Sequence, residues 1–159
     1  MTVMIRPAIP ADAQAMAALL NAVIRRGGTT AHLRPFDVPG ITSTFIAPPR
    51  GICCFCAAEG TEVMGFQSLE WVDPDWPGPD RLPPGWAIIA TYVALGRHRE
   101  GLGRRLFLAT RDAARAAGVE RVDATIRRQN TGGQGYYARM GFVDYRSSEQ
   151  TVSKVFKLR

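Results

Sequence analysis

The stretch His98-Arg99-Glu100-Gly101-Leu102-Gly103-Arg104-Arg105 most constrains how this chain can fold. It stands between an apolar run, Trp86 to Leu95, and a segment with helical spacing, Gly103 to Ala117. Glycines at 101 and 103 let the backbone turn sharply and bring bare N–H groups near a ligand, and the following helix adds its positive end. Such a bend is a seat for phosphate. Arginines at 97, 99, 104 and 105 surround it, and guanidinium groups grip phosphate oxygens two at a time. Two better-known phosphate loops are excluded by spacing. No Lys-Ser or Lys-Thr follows the glycines, as a Walker loop needs, and Leu106 stands where a dinucleotide fingerprint needs a third small residue.

A second block follows downstream: Asn130-Thr131-Gly132-Gly133-Gln134-Gly135-Tyr136-Tyr137-Ala138-Arg139-Met140-Gly141-Phe142. In order, separation and residue types, the two blocks together resemble the GCN5-related N-acetyltransferase superfamily. The first is similar to its Gln/Arg-x-x-Gly-x-Gly/Ala motif, which binds the pyrophosphate of acetyl-coenzyme A, with His98 where that pattern has Gln or Arg. The second is similar to Asn-x-x-Ala/Gly-x-x-x-Tyr-x-x-x-Gly-Phe. Ile5-Arg6-Pro7-Ala8 with Asp12-Ala13, and Thr29-Thr30-Ala31, further resemble in part the phosphinothricin and methionine-sulfone acetyltransferase branch, which modifies small amino-acid-like amines. The resemblance implies a mixed α/β fold with a central, mostly antiparallel sheet of about seven strands, about four flanking helices and splayed strands 4 and 5. It also implies transfer of an acetyl group from acetyl-CoA to an amine.

The residues outline the same order of elements. Strands are expected at 3 to 7, 52 to 59, 62 to 71, 86 to 95, 121 to 127, 143 to 145 and 152 to 157. Helices are expected from Pro10 to Arg26, around Ile41 to Ile46, from Gly103 to Ala117 and over 133 to 140. Proline and glycine make Asp73 to Gly85 a loop. With 159 residues, no repeat and no clear linker, the chain reads as one domain.

A net charge of +6 invites a nucleic-acid reading. The arginines, however, gather at 97 to 105 and 127 to 128, beside the two motifs, where a polyanionic coenzyme accounts for them equally well. No apolar run approaches the roughly 20 residues of a membrane span. The three cysteines, Cys53, Cys54 and Cys56, read as strand thiols and not as a redox pair or zinc site, and they favour a reducing, cytoplasmic compartment.

By resemblance, backbone groups at Tyr92 and Val93 pair with the pantetheine arm, and an N–H there polarises the thioester carbonyl. Amides of His98, Arg99, Glu100, Gly101, Leu102, Gly103 and Arg104 hold the diphosphate, and Asn130 and Gly133 contribute from the second block. Asn130 read by itself is an N-cap. Tyr137 occupies the general-acid position, a phenol able to protonate a departing thiolate. Tyr136, its neighbour, is expected to face the other way and pack inward beside the coenzyme.

Many members of the superfamily carry a Glu on the strand before the first motif, but Trp86 to Thr91 contains no carboxylate. Glu70 acting through water, Asp123, or bulk water are the candidate bases. Trp71, Asp73, Asp75 and Trp76 can enclose a cationic amine, or simply cap the sheet edge, and Thr30 or Arg34 can meet an acceptor carboxylate. A small-molecule amine is the expected partner; a peptide acceptor, a non-catalytic acyl-CoA sensor and a homodimer stay open. No metal is expected.

Overall fold

The computed structural model describes residues 2–98 and 100–159, so Arg99, one of the expected phosphate-binding residues, lies outside the described residues. Seven strands form a single sheet: β1 Met4–Pro7, β2 Gly51–Glu59, β3 Glu62–Trp71, β4 Trp86–Val93, β5 Arg121–Arg127, β6 Val143–Ser147 and β7 Thr151–Lys157. Their spatial order is β1-β2-β3-β4-β5-β7-β6. Every neighbouring pair is antiparallel except β4 with β5, which is parallel. The helices are α1 Ala13–Arg26, α2 Val38–Ile41, α3 Leu102–Ala117 and α4 Thr131–Met140.

Side-chain alternation on the strands decides where the helices go. On one face Cys54, Cys56 and Phe66 pack against Met16 and Leu20 of α1 and against Phe45. On the other, Leu69, Ile89, Val122, Ala124 and Ile126 pack against Phe107 and Ala114 of α3 and Tyr137 of α4. The apolar positions of α1, at Met16, Leu19, Leu20 and Val23, recur every three or four residues, which keeps them on one side of the helix. No helix among the described residues is long and apolar enough to cross a membrane.

Several boundaries differ from expectation, each for a local reason. β4 stops at Val93, not Leu95, because the chain turns through Arg97 N–H to Ala94 O and through Gly96 at φ 82°. The helix expected from Pro10 begins as a 3₁₀ turn at Pro10–Asp12 before α1 proper. The short helix around 41 to 46 starts earlier, with Asp37 capping Gly40 N–H, and continues as a wider π turn, Thr42–Ile46. β6 extends to Ser147 across an irregularity between Asp144 and Arg146, and α4 begins at Thr131 under the Asn130 cap.

The parallel pair positions everything that follows. β4 and β5 are in register only at Trp86–Arg121, Ala87–Val122 and Ile88–Asp123. Beyond Ile88 the two strands are no longer paired, although β4 runs on to Val93 and β5 to Arg127. A wedge therefore opens in the middle of the sheet, with β4 backbone groups on its β5 side free of a strand partner.

Candidate functional site

The wedge leads into a cleft of about 720 Å³. Its wall on the β4 side carries Thr91, Tyr92 and Val93, followed by His98, Gly101, Leu102, Gly103 and Arg104 from the bend. Its other wall comes from Asn130, Gly133, Tyr136 and Tyr137. Among the described residues, the expected coenzyme-binding residues thus meet in one cavity, apart from Glu100, which is turned to Arg97 at 3.3 Å. Arg26 at the end of α1 and Arg139 on α4 also line it. Sequence reasoning missed both, because each joins the cleft only through tertiary packing.

Gly101 stands just before α3 at φ 76°, ψ 7°, a left-handed conformation that costs glycine little. No side chain caps the helix there, and its first turn carries no acidic residue. The first backbone bond of the helix runs from Arg105 N–H to Gly101 O, and the amides of 102 to 104 have no acceptor among the described residues, which suits them to an outside one. An N-terminus with free donors, a positive dipole end and Arg104 beside it suits a diphosphate. Gly103 has a different task. A Cβ there would lie 2.6 Å from Tyr136 Cε1, so only glycine lets the Tyr136 ring rest on α3 and donate its hydroxyl to Gly103 O at 2.7 Å.

Asn130 is an N-cap: its Oδ1 accepts Gly133 N–H at 2.9 Å, while its Nδ2 donates to Thr29 O at 3.1 Å. It ties α4 to the loop after α1 while lining the cleft.

The two tyrosines depart from expectation. Tyr136 is not the inward member of the pair; Tyr137 is the more buried, at 7% exposure, and the rings pack 4.9 Å apart. Both hydroxyls reach one polar cluster because Tyr136 leans across Gly103. Tyr137 Oη meets Thr91 Oγ1 at 2.8 Å, and Gln67 Nε2 donates to Thr91 Oγ1 at 2.9 Å and to Tyr136 Oη at 3.0 Å. Burial raises the Tyr136 phenol to about 12, and it raises Tyr137 further still. Both therefore stay protonated at neutral pH.

Glu70, Ile88 and Asp123 lie in register across β3, β4 and β5 and so share one face of the sheet, at the vertex of the wedge. Ile88 is 37% exposed, which leaves the vertex open. Asp123 is buried and committed, accepting from Tyr145 at 2.5 Å and from Thr125 at 3.0 Å. Glu70 is half-buried and makes no side-chain hydrogen bond or ion pair among the described residues. Burial raises its pKa, and Arg50 partly opposes that.

Thr30 is buried beside Tyr92, with its carbonyl 3.3 Å from Arg127 Nη1. Arg34 belongs to a separate depression formed by residues 31–36. Trp71, Asp73, Asp75 and Trp76 lie outside the main cleft, at the opposite end of β4 from the bend. Trp71 packs partly buried with the Leu69 cluster, Asp73 accepts Asp75 N–H and faces Arg50 at 4.0 Å, and Trp76 is 52% exposed.

Known proteins resemble this chain in sequence and in fold. The model of the acetyltransferase (GNAT) family matches residues 16–142. Phosphinothricin N-acetyltransferase from Streptomyces coelicolor is 26% identical over 147 residues, spanning 88% of this chain and 81% of that protein. A GNAT-superfamily phosphinothricin acetyltransferase from Sinorhizobium meliloti, solved in complex with AcCoA, has TM-score 0.81 at 16% identity, covering 99% of this chain and 89% of that one. A GCN5-related N-acetyltransferase from Kribbella flavida has TM-score 0.81 at 19% identity, with 98% of each chain covered. Those two structural likenesses establish a shared fold.

Proposed function

The chain belongs to the acetyltransferase (GNAT) family, and from that premise we propose that residues 1–159 act as one domain that acetylates the primary amine of a small, amino-acid-like molecule. The observation that carries this reading is the wedge between β4 and β5, which runs from an exposed vertex at Ile88 to the uncapped N-terminus of α3. Its residues fit coenzyme A. The free amides of 102 to 104 with Arg104 suit the diphosphate, Arg26 and Arg139 add charge for the remaining phosphate, and unpaired β4 groups suit the amide-rich pantetheine arm.

When bound, acetyl-CoA supplies a thioester whose carbonyl is open to attack. The register with β3 commits the Tyr92 N–H to Phe66 and leaves the Val93 N–H on the β5 side of β4, where it would polarise that carbonyl. Glu70 takes a proton from the incoming ammonium through water, and its half-buried, unpaired carboxylate makes it a better base than Asp123, whose oxygens are already engaged. Tyr137, kept protonated by burial, gives a proton to the departing sulfur. Thr30 with Arg127 offers a neutral and a cationic group near Tyr92 for an acceptor carboxylate.

A screen of primary amines with acetyl-CoA, read as release of free thiol, tests the reading. Turnover with amino acids or their close analogues supports it. Tight acetyl-CoA binding with no thiol released by any amine replaces the enzyme with an acyl-CoA sensor.

A further inference from the structure

Donor and acceptor chemistry restricts where the protons go in the cluster of Gln67, Thr91, Tyr136 and Tyr137. A carbonyl oxygen only accepts, so the single hydroxyl proton of Tyr136 is committed to Gly103 O. Tyr136 Oη then has no proton for Gln67, and the atom facing it must be the amide nitrogen. The second proton of the same nitrogen goes to Thr91 Oγ1. The short side-chain contacts of Thr91 Oγ1 are with Gln67 at 2.9 Å and Tyr137 at 2.8 Å, and Tyr136 is a weaker neighbour. With Gln67 donating into it, Thr91 is free to spend its own proton on Tyr137 Oη, an orientation that leaves the phenolic proton of Tyr137 for the cleft. The reverse orientation would aim Tyr137 at Thr91 and turn the Thr91 proton, not the more acidic phenolic one, to the cleft.

The far side of the amide supports the same conclusion. Gln67 is fully buried, and its Oε1 has no hydrogen-bond partner. An apolar residue would fill this interior position of β3 without an orphaned carbonyl. Turning the amide over would set Oε1 against Tyr136, which has no proton to give, and would put both N–H donors where the structure offers no acceptor. The donor face toward the hydroxyls is what the position retains.

We propose that Gln67 and Thr91 are positioning residues: the Gln67 amide sets the direction of the hydrogen bonds so that Thr91 donates to Tyr137, Tyr137 presents its proton to the cleft, and Tyr136 is withheld on Gly103. This rests on the reading of Tyr137 as the acid. In the transfer, Tyr137 gives its proton to sulfur as the C–S bond breaks toward sulfur and the C–N bond forms. The proton lost by the acceptor nitrogen, carried through water, restores the phenol.

A double-mutant cycle with the amine identified by the thiol-release screen tests it. Thr91→Val and Tyr137→Phe each lower kcat by about 10²-fold with little change in KM for acetyl-CoA, the double variant is no slower than Tyr137→Phe, and Thr91→Ser restores most of the loss. Gln67→Leu lowers kcat in the same non-additive way. Additive losses overturn the proposal while leaving Tyr137 as the acid; a fully active Tyr137→Phe removes the acid and the proposal together. A second measurement needs no turnover. In the free protein, the two Gln67 side-chain amide protons are protected from exchange with water by NMR, with Tyr136→Phe shifting one and Thr91→Val the other. Fast exchange of both protons, unaffected by either substitution, overturns the assignment of Nε2.

Discussion

Glu70 and Asp123 flank Ile88 from either side, yet their environments divide the work between them. Asp123 is saturated by Tyr145 and Thr125, whereas Glu70 keeps its oxygens free and feels mainly the loss of water. Burial favours the neutral acid, so Glu70 ionises at a higher pH than an ordinary carboxylate. If Glu70 is the base, kcat/KM climbs with pH through that raised value and then levels. Glu70→Gln is expected to lower kcat/KM by about 10²-fold and to abolish the climb; a pH profile of the variant that keeps the climb assigns it to another group. Asp123 makes a stability prediction of the opposite kind. Its folded pKa lies above the unfolded one, so the native state loses stability as pH rises from the ordinary carboxylate range through the raised value. Thermal melts of Asp123→Asn across that window should show the variant gaining on the parent as pH rises, and a constant difference would refute the linkage.

The elements around the site are joined by a few polar ties whose loss should be readable one at a time. Arg6 of β1 grips Asp12 with two bonds of 2.8 Å, and Asp12 also accepts Ile9 N–H, fixing how the chain enters α1. The Arg6 bond holds the Asp12 carboxyl below its usual range, so this contribution is present above the unfolded pKa and is lost as pH falls through the lowered one. Asp12→Asn is expected to cost about 1–3 kcal/mol at neutral pH, with the gap to the parent closing in acid; equal stability at neutral pH would show the tie to be idle. The bend offers a paired comparison. Gly101→Ala meets no neighbour among the described residues and carries the strain of its left-handed φ, whereas Gly103→Ala drives a methyl into the Tyr136 ring and pushes α4 off α3. Calorimetric titration with coenzyme A should therefore show the larger loss of affinity for Gly103→Ala, and the reverse order would mean that the ring moves aside freely.

Legibility in the sequence followed the range of the interactions. The strand, glycine bend and α3, with Asn130 before α4, were visible because bends, caps and periodicity are written in adjacent residues. β4 was read two residues too long because Ala94 and Leu95 keep it apolar while the backbone has already turned. Gln67 was invisible as a site residue, since its partners lie 24 and 69 positions away and a lone polar residue in a strand names neither. The same holds for Arg26 and Arg139, which α1 and α4 bring to the cleft from opposite ends of the chain. That convergence has a consequence for the whole molecule, because a ligand whose phosphates engage α3 together with these arginines binds only the folded chain and must stabilise it. Acetyl-CoA at about 100 times its Kd adds about 2.7 kcal/mol, or about 5–10 °C in Tm for a chain of this size. Acetyl-pantetheine, which lacks the phosphates, should give a far smaller shift, and rising salt should erode the difference. Equal shifts from the two ligands would mean that the arginines and the α3 terminus contribute nothing to binding, leaving the free strand edge of β4 as the sole grip on the coenzyme.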